Sequence, residues 1–433
     1  MASKKVKVRP SEHRKSSLSP VQQPSSTAPS RPPSSFTSHP SSLKKWLATG
    51  IAILGILLYL NTIGHDYVLD DFSVIKENFV TKQGVEGIPT LWKTHARYGY
   101  WNSPGELYRP LTMTMFALEW QLAPDTPELS HFINIFLYGL SGAILFLTLA
   151  RLLTGYNLLL PLLTTLFFMA HPTHVEVVAN IKSRDEIVMF LLAILSINLL
   201  WKHLRSGNWI WLAVAWLCYL AALFSKENAV TFVAIVPLAM YFFSKAGWQK
   251  IAVTTGLYGL AALIYVLVRR EVIGSFTNPG VTSVLDNFLV GTEDPLIRSA
   301  SAFLLLGKYL LTLIFPHPLG SDFGYNQIPL VSWNNWWVLL SLAVWLGIGV
   351  FGVRQLIRKN LWGFAIAFFL INFSIFTNLF LLIGTSFGER LLYSASPGFA
   401  LALALVLGKI FKVNWKEKAA GLFQNKGLWV VAG

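Results

Sequence analysis

Sulfur and charge are both scarce in this sequence. Its one cysteine, Cys218, lies inside an apolar run, which excludes a disulfide framework and a Cys-based metal site. Only 13% of the 433 residues are charged, about half the share of a soluble domain, while 54% are hydrophobic. Carboxylates are the rarer charge, with 21 Asp and Glu against 35 Lys and Arg and a net charge of +14. Much of that excess sits in the N-terminal tail and in short loops between apolar segments. Positive-inside topology produces this distribution and a nucleic-acid footprint does not, so no nucleic-acid partner is expected.

Long hydrophobic runs fill the rest. They fall near 45–63, 131–152, 157–170, 187–204, 208–224, 229–243, 251–268, 299–315, 335–353, 361–382 and 391–410. Repeated runs of this length predict an all-α polytopic membrane protein with about 11 or more transmembrane helices. Residues 1–43 are rich in Ser, Pro, Lys and Arg and cannot bury enough surface to fold, so they read as a disordered cytoplasmic tail ahead of a membrane domain over 44–433. No cleavable signal-peptide pattern precedes the first run, and a further run begins near Gly427, so a continuation beyond Gly433 is expected.

Threading the first seven helices from a cytoplasmic N-terminus puts 64–130, 171–186, 225–228 and 269–298 outside. Working back from the basic residues Arg354, Arg358 and Lys359 and Lys409, Lys412, Lys416 and Lys418 puts 316–334 and 383–390 outside, so the two threadings conflict over one element. The segment 299–315 would then begin and end outside, as a re-entrant or interfacial element. Every polar cluster of interest falls on that extracytoplasmic face. "HDYVLDDFSVIKEN" sets Asp70 and Asp71 directly after a membrane segment. Adjacent acids raise each other's proton affinity, so either one could be tuned as a general base.

"AHPTHVEVVANIKSRDE" brings His171, His174, Glu176, Arg184 and Asp185, with Glu176, Asn180 and Arg184 expected on one helical face. Lys226 and Glu227 mark a tight turn in "FSKENAV", and "YRPLTM" supplies Arg109. Glu389, Arg390 and Tyr393 stand at the mouth of a helix in "GERLLYSASPGF". Each cluster alone is an ordinary helix cap, turn or interfacial anchor. Together they suit an anionic lipid-linked substrate, because charged groups beside lipid tend to mark substrate sites.

The order "LDDFSVIKEN … YRPLTM … AHPTHVEVVANIKSRDEI … FSKENAV … EDPLIRSASAFLLLGKYLLTLIFPHPLGSDFGYNQIPLV … ERLLYSASPGF" resembles the transmembrane and tetratricopeptide-repeat O-mannosyltransferases, over about residues 60–405. The resemblance implies a GT-C-type helical bundle with extracytoplasmic loops and soluble repeats after the membrane domain. It implies transfer of a mannose-like sugar from a polyprenyl- or dolichyl-phosphate carrier to a Ser or Thr hydroxyl of an acceptor protein. An acidic catalytic motif in the first extracytoplasmic loop then falls on Asp70 and Asp71, with Arg184, Lys226 and Arg390 as candidates for the donor phosphate. The setting would be the lipid bilayer of a bacterial inner membrane or of the endoplasmic reticulum. No cofactor is implied beyond the lipid-linked donor itself, and the acids leave a divalent metal open. The rival classes are a secondary transporter, which would bury its charges at mid-helix, and a non-catalytic scaffold presenting a soluble domain.

Overall fold

The computed structural model describes residues 41–416, apart from 102–104, 106, 275–282, 321–322 and 324–326. The expected disordered tail lies outside the described residues up to residue 40, as does the run near Gly427. Among the described residues, helix is the sole regular secondary structure. That is what apolar segments in lipid require, since only a helix satisfies its own backbone without water or a neighbouring strand.

The chain enters through α1 (Ser41–Leu58) and then passes through a long connection of short helical turns that holds α2 (Ile88–Leu91). The stretch that opens with "YRPLTM" forms α3 (Pro110–Leu122), and α4 (Pro127–Leu152) and α5 (Leu159–Met169) follow. A short α6 (Val175–Ala179) leads into α7 (Arg184–Ser206), α8 (Trp209–Ser225), α9 (Phe232–Phe243) and α10 (Trp248–Ile273). The remaining helices are α11 (Pro295–Ile314), α12 (Trp336–Ile357), α13 (Leu361–Phe373) and α14 (Ser396–Ile410).

Six helices, α1, α4, α7, α10, α11 and α12, are long and apolar enough to cross a membrane, and five shorter apolar helices accompany them. α4 and α7 are mostly buried and form the centre, whereas α1 and α12 are largely exposed. α1 can lie against α4 because both carry glycine at the crossing. A Cβ on Gly55 would come within 2.9 Å of the Gly139 Cα, and one on Gly139 within 2.5 Å of the Ala52 carbonyl. Small residues let two membrane helices approach closely where hydrophobicity cannot drive them together.

The structure departs from the expected helical continuity between Glu176 and Arg184. α6 stops at Ala179, and Asn180 turns to an extended conformation (φ −95°, ψ 120°). Its carbonyl and its side-chain oxygen both accept from the Ser183 amide, each at 3.2 Å, a local turn that competes with the helix. Glu176 and Arg184 therefore sit on different helices and face different partners.

α11 corresponds to the segment whose threading was ambiguous. Both its flanks are tied to the end of the bundle that carries the acids. The carbonyl of Leu313, in its last turn, meets His171 Nε2 at 3.0 Å. Asn287, ahead of it, donates to Asn378 Oδ1 and to the Ile383 carbonyl, each at 2.9 Å.

Candidate active site

The connections 59–109, 170–183, 226–231 and 374–395 meet at one end of the bundle, joined by the Lys182 amide on Asp71, Arg109 on Glu227 and Arg390 on Glu176. The site is best followed from Asp70 and Asp71, which chain geometry separates despite their adjacency. Leu69, just before them, has φ +47°, a left-handed backbone that a leucine adopts only when the surroundings enforce it. The result turns one carboxylate inward and leaves the other at the surface.

Asp71 is fully buried. Its oxygens accept from two backbone amides, Val68 at 3.0 Å and Lys182 at 2.8 Å, so it fastens the first connection to the segment before α7. Burial pushes its carboxyl up to about 6, against the opposing pull of those two amides, and the neighbouring Asp70 adds to the rise. Asp70 is more than a third exposed at its side chain. Burial would raise its carboxyl too, but the charges of Lys182, Arg97 and Arg390 prevail and hold it below its ordinary value. It is thus ionised at neutral pH, with Arg97 Nη2 at 2.7 Å and Lys182 Nζ at 3.4 Å. Arg97 keeps its Nε buried without a hydrogen-bond partner among the described residues, a donor still available at the edge of the site.

Lys182 links Asp70 to a buried ion network. Its ammonium also lies 4.0 Å from Asp185, and burial is the larger influence that lowers it to about 8 against the pull of these two aspartates. Asp185 receives Arg109 Nη1 at 2.5 Å and Lys226 Nζ at 3.1 Å. Arg109 forks onto Glu227 with contacts of 3.1 and 2.7 Å, and Lys226 reaches Glu186 at 2.8 Å. Asp185 and Glu186 occupy the first turn of α7, where the helix dipole favours acids. Sequence reading therefore found four members of this network (Arg109, Asp185, Lys226 and Glu227) but missed Lys182, Arg97 and Glu186. The one available signal was the i, i+3 spacing of Lys182 and Asp185.

Arg390 approaches from the far end of the chain. Its guanidinium pairs with Glu176, whose second oxygen accepts the Arg390 amide at 2.8 Å. About a quarter of the Arg390 side chain stays exposed, and its charge is felt at both Asp70 and Asp185. Next to it Glu389 accepts from the Gly320 amide at 2.8 Å. Burial, reinforced by Glu176, raises its carboxyl to about 7 over the opposing Gly320 bond.

Three other candidates are engaged inside the fold instead of at this surface. Arg184 is wholly buried and held by Glu119, by Asn134 Oδ1 at 2.6 Å and by the Ser130 carbonyl at 2.9 Å. His174 has both ring nitrogens occupied, by the Tyr138 hydroxyl at 3.1 Å and Ser396 Oγ at 3.0 Å. Tyr393 is fully buried against His174, Phe168 and Phe190. His171, only part-buried, bonds Thr173 and the Leu313 carbonyl. Among the described residues no three His, Cys, Asp or Glu side chains are grouped to hold a metal ion. Asp70, Glu176, Asp185, Glu186 and Glu227 pair with Arg or Lys, whereas Asp71 and Glu389 accept from backbone amides, and no step is routed through a metal.

The arrangement offers an ionised, solvent-facing carboxylate ringed by three cations. It can take a proton from a hydroxyl while neighbouring charges stabilise an anion.

The chain matches no family model and no solved structure. It is similar to protein O-mannosyl-transferase tmtc2 of Xenopus laevis, 27% identical over 311 residues that cover 65% of this chain and 36% of that protein. Human TMTC2 is 26% identical over 68% of this chain and 37% of its own length, and human TMTC4 26% over 86% and 57%. The chain thus spans between about a third and somewhat over half of the length of these curated relatives. By motif order and by these matches, the chain is similar to the transmembrane and tetratricopeptide-repeat O-mannosyltransferases.

Proposed function

We propose that the chain is the membrane domain of an O-glycosyltransferase. It moves a mannose-like sugar from a polyprenyl- or dolichyl-phosphate carrier to a Ser or Thr hydroxyl of a protein, on the extracytoplasmic side of a bacterial inner membrane or the endoplasmic reticulum. The observation that carries this reading is Asp70, ionised and accessible among Arg97, Lys182 and Arg390 at one end of an apolar bundle. The six helices long and apolar enough to span, with the five shorter apolar ones, are compatible with a GT-C-type helical bundle. The names of the relatives support the reaction class.

In this reading the acceptor oxygen attacks the anomeric carbon and the bond from that carbon to the carrier phosphate breaks with its electron pair. Asp70 takes the hydroxyl proton. Arg390, Lys182 and Arg97 oppose the charge that develops on the phosphate, where preorganised cations contribute most. The single displacement inverts the anomeric centre. Arg184 and Lys226, candidates from the sequence, are both buried in ion pairs and hold the site in shape.

A transfer assay with labelled mannosyl-phosphoryl lipid and an acceptor peptide tests this. Wild type should label the peptide and the Asp70→Asn variant should not. No labelling by folded wild type with any polyprenyl-phosphate sugar would remove the proposal.

A further inference from the structure

The other end of the bundle carries the opposite electrostatic character. α7 runs from the acidic network at Asp185 and Glu186 to Lys202, Arg205 and Ser206, about 30 Å away at 1.5 Å per residue. There Arg151, from the last turn of α4, joins Lys202, Arg205 and Ser206 around an open cleft of about 270 Å³. Lys44, at the start of α1, stands close enough for its ammonium to feel the charges of Arg205 and Arg151.

Every ion pair among the described residues involves other residues, so these four cations have no carboxylate partner. They are nevertheless held in place. Arg151 Nη1 donates to the Asn198 carbonyl at 3.1 Å and to its Oδ1 at 2.5 Å. Arg205 Nη2 donates to the Arg151 carbonyl at 3.1 Å, and Lys202 Nζ sits 3.0 Å over the Trp211 ring. Each guanidinium keeps further donors free for a ligand. Like charges fixed around a common space repel one another unless an anion occupies it.

We propose that this cleft binds a phosphate group, in a membrane-lipid headgroup or as free phosphate, with Arg151, Lys202 and Arg205 as its cations. This site is separate from the proposed sugar-transfer site and rests on none of that reading. The exposed tryptophans of the same end favour the lipid. Trp46, Trp209 and Trp248, each near the start of a helix, are more than 70% exposed, and such rings settle at the headgroup level of a bilayer.

The test uses the full chain in nanodiscs of phosphatidylcholine doped with phosphatidylglycerol, with retained lipid read by native mass spectrometry. In a parallel arm, inorganic phosphate is titrated in detergent against thermal unfolding. Wild type should retain phosphatidylglycerol in preference to phosphatidylcholine. Lys202→Gln/Arg205→Gln should lower that retention about tenfold or more, the scale of lost charge-assisted bonds. The charge-preserving Lys202→Arg/Arg205→Lys should keep most of it, and so should Lys245→Gln/Lys250→Gln, which removes equal charge outside the cleft. Phosphate that stabilises wild type but not Lys202→Gln/Arg205→Gln, without lipid preference, supports the site and identifies the soluble source. Equal losses in the two Gln double variants would reduce the effect to general surface charge and overturn the proposal. So would wild type that shows neither lipid preference nor a phosphate response.

Discussion

Replacing Asp70 and Asp71 one at a time separates chemistry from architecture, because the two neighbours differ in what they hold. Asp70→Asn removes a charge that is more than a third exposed and paired with Arg97 and Lys182. Pairs this accessible contribute roughly 0–1 kcal/mol, so the unfolding temperature should barely move. If Asp70 is the general base, turnover should fall by about a hundredfold or more, equivalent to ~2.7 kcal/mol of transition-state stabilisation. Asp71→Ala does the reverse. It leaves the part-buried amides of Val68 and Lys182 without their acceptor, a cost toward the low end of about 1–3 kcal/mol each, or roughly 2 kcal/mol of stability. Single-turnover transfer from a labelled mannosyl-phosphoryl lipid, read beside thermal unfolding in the same detergent, gives both quantities. Near-normal turnover in Asp70→Asn would refute the assignment. A hundredfold loss in a fully stable Asp71→Asn protein would move the base to Asp71.

Arg390→Ala should raise the donor KM by roughly tenfold to a hundredfold with acceptor saturating, and Arg390→Lys should do so less, since an ammonium loses the fork that matches a phosphate; an unchanged donor titration removes Arg390 from the site. Asp71, lifted to about 6 by burial despite its two amide bonds, binds its proton more tightly folded than unfolded. Its contribution to stability is therefore greatest below the ordinary carboxylate range and declines as pH rises to about 6. Protonation also weakens its hold on the Lys182 amide, so turnover should show an acid limb near pH 6 that Asp71→Asn lacks. Asp70 has the opposite sign: its stabilisation is present above its ordinary value and is lost as pH falls through its depressed one. Glu119→Ala leaves the fully buried Arg184 without its carboxylate and should cost about 3–5 kcal/mol, much of it recovered in Glu119→Leu/Arg184→Met. In a Cys218→Ala background, impermeant thiol reagents should label Val68→Cys, 44% exposed in the first connection, from the extracytoplasmic side and Lys245→Cys only from the cytoplasm; labelling of both from one side would overturn the proposed topology.

The helices were legible in the sequence because burial in lipid leaves each apolar run one way to satisfy its backbone. The gathering of charge at one end was legible too, since ionisable residues cluster in the connections between runs. Local pattern failed wherever partners came from distant parts of the chain. Glu176 and Arg184 looked like neighbours on one helix, yet Asn180 breaks that helix and Arg184 turns to Glu119. Glu176 instead meets Arg390, 214 residues away, and Arg109 meets Glu227 across 118. Nothing in either stretch names the other, because an ion pair depends on where two helices dock. The division of labour between Asp70 and Asp71 belongs to the same class. Adjacent residues of identical chemistry differ only because the turn at Leu69 buries one carboxylate on the Lys182 amide and leaves the other facing water among cations, an asymmetry of dielectric and partners that exists only once the chain is packed.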